Sequence, residues 1–379
     1  MDSIPAAPPI AQTVVRPRWR TLADDLAGGR DNFLLLRFIA ASMVIYGHGP
    51  AITGGSGPPD LFVWLGWGSY SGTIAVDLFF LVSGFLVTGS FLRRHDTIAF
   101  LWARALRIMP AYAVCVAVCA CVLGALLTTL PAKEYFAAQQ TRDYVFVNLS
   151  FDHVIWQLPG VFTTNPHRDT INGSLWTLPA EVRMYVGLGF LGVLGILRRR
   201  WLCNVALLGI FIAGLREPIE NLPLILVADN VRFAGLFALG VFCYVNRDWM
   251  PRHGGLAIAA ALLAWALRNT PVYPQAFALA EAAFAFWFAY GVPWRGFNRF
   301  GDYSYGLYLW GFPMQQLVAH FVPDLVPLAN SLCGFVLALI VAIASWHFVE
   351  EPALLLKRWP LRWRGSARPL ASIGARPKP

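Results

Sequence analysis

The chain has 379 residues, a formal net charge of +9 and a mean hydropathy of +0.54. With 57% hydrophobic residues, 13% charged residues and 15 Trp, a soluble globular fold is excluded on composition alone. The surplus of Lys and Arg is clustered between apolar stretches rather than spread over a patterned surface, which argues against a nucleic-acid partner.

Residues 1–30 are rich in Pro and Arg, too long and too polar for a cleaved signal peptide, and are expected to be a disordered tail. The stretch FLLLRFIAASMVIYGHGP, Phe33 to Pro50, then predicts an apolar helix that carries Arg37 and His48. Eleven residues at about 100° each make close to three turns, so both side chains leave the same face, roughly 16 Å apart along the axis. An ionisable group at mid-membrane costs on the order of 2.5–3.5 kcal/mol, and is retained where it faces a polar interior.

Hydropathy predicts an all-α, polytopic membrane bundle of about ten spans, near 33–51, 73–92, 108–130, 174–197, 202–216, 222–245, 254–268, 275–293, 301–321 and 328–350. Most approach the ~20 residues that cross a ~30 Å hydrocarbon layer, while 202–216 and 254–268 are short. An even number of spans places both termini on one side. Of the 30 Lys and Arg, 22 then lie on the side of the termini and three within spans (Arg37, Arg183, Arg232). Five lie opposite: Lys133, Arg142, Arg168, Arg216 and Arg268. That asymmetry predicts cytoplasmic termini. It leaves one transmembrane domain over 31–356, an outer loop at about 131–173 and a basic cytoplasmic tail over 357–379. The six Cys all fall in predicted spans without a metal-type CxxC spacing, so neither a metal site nor an outer disulfide is expected.

Placed by depth along the chain, the polar groups form three constellations. His48 lies near the outer end of the first span. Asp77 lies near the outer start of the second, and Glu181 about two turns into the fourth, entered through NGSLWTLPAEVRMY. A His beside a carboxylate can be held in one tautomer as a general base; the structural alternative is a set of interhelical polar contacts. Ser83, before Gly84 in the second span, has no evident base partner at its depth and reads as a close-approach site. In FLWARALRIMPAY, residues 100–112, Arg104 and Arg107 stand one turn apart at the inner surface, as a pair that can bracket a phosphate. Arg93, Arg94 and His95 lie nearby. The run RFGDYSYGLYLWGFP, 299–313, with Tyr303, Tyr305, Tyr308 and Trp310, reads first as an interfacial aromatic belt. A secondary transporter using the same intramembrane charges is the rival functional class, against which no inverted repeat is visible.

These stretches resemble the integral-membrane acyltransferase 3 family. LRFIAASMVIYGH, VDLFFLVSGFLVT, FLWARALRIMPAY, SLWTLPAEVRMY, FGDYSYGLYLW and FVEEP follow in the family's order across about 320 residues. The resemblance implies transfer of an acyl group, acetyl by family frequency, from cytoplasmic acyl-coenzyme A to a hydroxyl of an extracytoplasmic glycan or glycolipid. It implies acetyl-coenzyme A as co-substrate with no permanently bound cofactor, and a bacterial inner membrane as the location. His48 is implied as the essential base, with Asp77 and Glu181 as catalytic partners. Arg37, Arg104, Arg107, Ser174, Trp176 and Tyr305 are implied as substrate-binding. One departure is Gly311, where the family often has His after the Leu-Trp pair. The other is the lack of the extra extracytoplasmic hydrolase-like domain that some members append.

Overall fold

The computed structural model describes residues 19–358 apart from 56, 95, 215–227 and 295, and omits the side chains of 228–230 and 358. Among the described residues the fold is all-helical, with only two isolated bridges and no strands.

The tail expected to be disordered over 1–30 contains a helix, α1 (Leu22–Ala27). Thr21 and Asp24 form a reciprocal capping box that satisfies two helix-end donors. Buried Asp25 accepts from Arg20 at 2.6 Å and from Arg252 at 2.8 and 3.1 Å, which fastens α1 to a segment more than 220 residues away. Helix α2 (Phe33–Ile52) follows, then the single turn α3 (Leu61–Trp64) and α4 (Ser71–Arg94). Asp60 caps α3 and also accepts from Ser71 N at 3.0 Å and Ser71 Oγ at 2.5 Å, so one carboxylate fixes the connection into α4.

Helix α5 (Thr97–Val118), capped by Asp96, continues through a π-helical turn, Cys119–Gly124, into α6 (Ala125–Leu127). The predicted third span, 108–130, therefore begins eleven residues earlier. Arg104 and Arg107 lie inside this helix, in the body of the bundle, rather than on an inner surface segment. The outer loop expected at 131–173 holds α7 (Ala132–Ala137) and α8 (Gln139–Ser150) before an irregular stretch. A 3₁₀ turn at Gly173–Trp176 leads into α9 (Thr177–Val193). Then come α10 (Arg200–Gly214) and α11 (Ala228–Val245), the start of the predicted span 222–245 lying outside the described residues. Helices α12 (Gly254–Ala266), α13 (Tyr273–Gly291), α14 (Ser304–Phe321), α15 (Pro327–Ser345) and α16 (Glu351–Leu355) complete the chain, the last two joined by a π turn at Trp346–Glu350.

Four described helices are long and apolar enough to cross a membrane: Phe33–Ile52, Ser71–Arg94, Thr97–Leu127 and Pro327–Leu355. α10 and α12 are short, as their apolar stretches are in sequence.

Glycines set how closely the central helices approach. A Cβ on Gly84 would lie 2.2 Å from the Phe237 carbonyl oxygen, and one on Gly240 2.0 Å from that of Leu81, so α4 and α11 touch backbone to backbone. Gly89 meets Tyr244 a turn further on, and Asp77 meets Arg232 two turns before, so the two helices run parallel. On the other side of α4, α2 runs parallel to α14, with Arg37 against Asp302, Ile45 against Gly311 and His48 against Phe312. α4 is the central helix, with sixteen of its residues buried, including Asp77, Gly84 and Thr88.

Candidate active site

Helices α2, α4, α5, α9 and α14 enclose a cavity of about 100 Å³. Its polar wall comprises Arg37, Arg104, Arg107 and Glu181 together with the hydroxyls of Ser83, Thr177, Tyr185, Ser304, Tyr305 and Tyr308. Val76, Phe79, Phe80 and Leu86 supply the apolar side.

The three arginines differ in their state. Asp302, at the entry to α14, accepts from Arg37 Nη1 at 2.8 Å and from Arg107 Nη2 at 2.5 Å. Arg107 also donates to Glu350 at 3.0 Å and lies over the rings of Tyr305 and Trp346. Arg107 is thus held by two carboxylates, and its geometry is fixed. Arg104, one turn earlier on α5, lies 5.9 Å over the Tyr185 ring, and its buried Nε has no protein hydrogen-bond partner. A guanidinium donor without a partner beside a cavity is ready for an anionic or carbonyl group. Lys357, beyond the last apolar helix, has its basicity pushed down to about 8 by burial and by the positive charges of Arg104, Arg107 and Arg94. Lys357, which sequence reasoning missed, thus joins the positive charges of Arg104, Arg107 and Arg94, while His95 lies outside the described residues.

Ser83 is not isolated. Its Oγ lies 2.9 Å from the Tyr185 hydroxyl, which donates to Glu181. With the tyrosine proton committed to the carboxylate, the serine hydroxyl donates to the tyrosine oxygen, giving a directed chain Ser83–Tyr185–Glu181 along the cavity wall. Sequence analysis missed Tyr185, which lies one turn after Glu181 and on its face.

The trio expected to share one level, His48, Asp77 and Glu181, is not joined. Asp77 forms an ion pair with Arg232 of α11, and Glu181 bonds to Tyr185 on its own helix. His48 stands edge-on to Phe312 at 5.2 Å, and its buried Nδ1 has no protein partner. It lies outside the cavity lining, about one helical turn beyond Tyr308 along α14. The structure does not bring them to one level: Glu181 meets Ser83, six residues beyond Asp77 on α4, through Tyr185, and His48 lies outside the cavity that Glu181 lines. Side-chain contact further requires that the helices be rotated towards one another, and here α4 turns Asp77 towards α11.

Around His48 the outer loop closes in. Phe312 also meets His167 at 5.6 Å, and a Cβ on Gly173 would come within 2.6 Å of the Phe312 ring. Burial pushes His167 below the ordinary imidazole value. Gln316 holds the loop by donating to the carbonyls of His167 and Thr170, and Asn165 donates to Gln316. Ser174 is buried beside this region, with its Oγ unpartnered and its N–H donated to Asn172. Trp176 packs on Phe233, partly exposed, and Tyr305 donates to the Ile108 carbonyl at 2.9 Å in the cavity wall. Gly311 explains its own departure from the family pattern: a Cβ there would lie 2.5 Å from Ile45 Cγ1, so α2 occupies the space a larger residue needs.

Asp302 and Glu350, which hold Arg37 and Arg107, went unassigned in the sequence although both stand in the ordered motifs FGDYSYGLYLW and FVEEP.

Comparison with known proteins gives the family. The model of the acyltransferase 3 family, described as an acyltransferase domain, matches residues 31–347. The chain is 28% identical over 339 residues to an O-acetyl transferase of Shigella phage Sf6, covering 83% of this chain and 93% of the relative. It is also 28% identical over 377 residues to nodulation protein 10 of Rhizobium leguminosarum bv. viciae, covering 87% and 95%. A shorter match, 35% over 116 residues, covers 30% of this chain and 20% of a chromaffin granule amine transporter of Rattus norvegicus. No solved structure matches.

Proposed function

Since the chain belongs to the acyltransferase 3 family, we propose that it is a membrane-embedded O-acyltransferase that moves an acetyl group from cytoplasmic acetyl-coenzyme A to a hydroxyl of an extracytoplasmic glycan or glycolipid. The observation that carries this reading is the cavity in which Arg104, with a free buried donor, meets Arg37, Arg107 and the Ser83–Tyr185–Glu181 chain. A space of about 100 Å³ suits a short acyl group. The name of the phage relative, an O-acetyl transferase, favours acetyl. The proposed topology has about ten spans, with both termini cytoplasmic in a bacterial inner membrane. The basic-residue asymmetry and the parallel course of α4 and α11, both even-numbered spans in that scheme, support it.

In the proposed reaction Arg104 and Lys357 receive the donor phosphates, with Arg107 fixed beside them. The thioester reaches through the cavity towards His48. His48 takes the proton of the acceptor hydroxyl as its oxygen attacks the acyl carbon. The new C–O bond forms as the C–S bond breaks, and the leaving thiolate is protonated to the free thiol. Tyr185 and Glu181 hold the donor arm, and Arg37, about three turns before His48 on α2, binds it at the inner end of the cavity.

The test has two arms. Acetyl-coenzyme A should raise the apparent melting temperature of the purified protein, with Arg104→Ala removing the rise. Cells producing His48→Ala at wild-type membrane levels should lose the acetyl increment from their envelope glycans by mass spectrometry. Full acetylation by that variant would refute His48 as the base. Absence of acetyl-coenzyme A binding would refute the donor.

A further inference from the structure

A second cluster of charge lies on the opposite side of α4 from the cavity, where α4, α11 and α13 meet. Asp77 uses Oδ2 to hold Arg232, and its Oδ1 is buried without a partner. Glu281, on α13, is 6% exposed, and neither of its carboxyl oxygens has a hydrogen-bond partner. The charged groups acting on Glu281 are Asp77 and Arg232, and Tyr273 on its own helix faces it. These are the titratable groups around it among the described residues. Towards the outer side, Tyr273 donates to the Trp67 carbonyl, and Phe277 packs on both Trp67 and Tyr273.

Charge and hydrogen-bond accounting on this cluster leads to one species. With both carboxyls ionised, the layer carries two negative charges against one positive. Three carboxyl oxygens are then left without a donor in an apolar surrounding, a state less favourable than one with paired groups. One added proton brings the net charge to zero. It also provides a donor for carboxyl oxygens that the protein leaves unsatisfied. Two carboxylates are fewer oxygen ligands than a divalent ion takes, and among the described residues Arg232 already supplies a permanent cation.

We propose that Glu281 holds one exchangeable proton, forming a buried proton-binding site beside the Asp77–Arg232 ion pair. The site does not depend on the acyl-transfer reading. It does adjoin the cavity wall: Phe233, next to Arg232, stacks on the cavity residue Phe80 with ring centroids 4.2 Å apart.

Infrared difference spectroscopy of the purified full-length protein at neutral pH tests the proposal. Wild type should show the carbonyl stretch of a protonated carboxylic acid, shifted in heavy water, and Glu281→Gln should lose that band. A wild-type spectrum lacking the band, or one whose band is unchanged in Glu281→Gln, overturns the proposal. If the variant does not accumulate, wild type alone decides. Its band should disappear on raising the pH, with a parallel fall in apparent melting temperature that is the same in sodium and choline chloride. A band that survives at alkaline pH, or stabilisation by sodium over choline, overturns the proton on Glu281, the latter in favour of a metal cation.

Discussion

Asp302→Asn gives the sharpest test of how the cavity is held. This one carboxylate accepts from Arg37 at 2.8 Å, Arg107 at 2.5 Å and Ser304 Oγ at 2.5 Å, and only 16% of its side chain is exposed. Asparagine keeps the size and removes the charge. Arg107, 13% exposed, retains Glu350, whereas Arg37 loses the one ion pair found for it among the described residues. Removing one partner of a buried pair costs about 3–5 kcal/mol, and the surviving Glu350 contact places this case near ~3 kcal/mol. Arg37→Ala removes the more exposed cation and leaves Asp302 paired with Arg107, so it forfeits one charge-assisted hydrogen bond, about 1.5 kcal/mol. At roughly 2 °C per kcal/mol for a long chain, the expected falls in apparent melting temperature are about 6 °C and 3 °C. Intrinsic fluorescence unfolding in detergent measures both, with 15 Trp as the signal. An Asp302→Asn protein that melts with wild type, or an Arg37→Ala protein that loses more than Asp302→Asn, would refute the reasoning.

Tyr185→Phe breaks the chain between Ser83 and Glu181; losing a charge-assisted hydrogen bond worth about 1.5–3 kcal/mol should lower acetyl transfer by roughly 10- to 150-fold at unchanged membrane level, and wild-type turnover would remove that chain from the reaction. Lys357 should be half-labelled by an amine-acylating reagent near pH 8, and acetyl-coenzyme A should move that midpoint upward by adding negative charge. Because its folded value is depressed, the stability linked to Lys357 is present at pH above the ordinary lysine value and is lost as pH falls through about 8; Lys357→Met should flatten that alkaline window. Gly311→His should cost about 1–3 kcal/mol through overpacking against Ile45, and the loss in melting temperature should shrink in an Ile45→Ala background. Equal losses in both backgrounds would show that Ile45 is not the obstacle.

The sequence by itself determined the membrane character, the all-helical class and the family. Apolar length and the order of motifs are local properties that survive without coordinates. It also placed Arg37 and His48 on one stripe of one helix, since helical periodicity fixes face and depth together. Tertiary structure alone decided what each polar group touches. Ser83, for which no base partner was evident, meets the Tyr185 hydroxyl 102 residues away; Asp77 was expected near His48 and is held by Arg232, 155 residues away. Asp302 reaches across 265 residues to Arg37 and 195 to Arg107. Counting residues along each span put Glu181 level with Asp77, whereas it stands by Ser83, six residues deeper on α4. Contact depends on how each helix is rotated about its axis, which the close approaches at Gly84, Gly240 and Gly311 set once the helices pack. Even the N-terminal segment follows this rule: the capping box at Thr21 is written locally, but Asp25 fastens it only because the fold brings Arg252 to it.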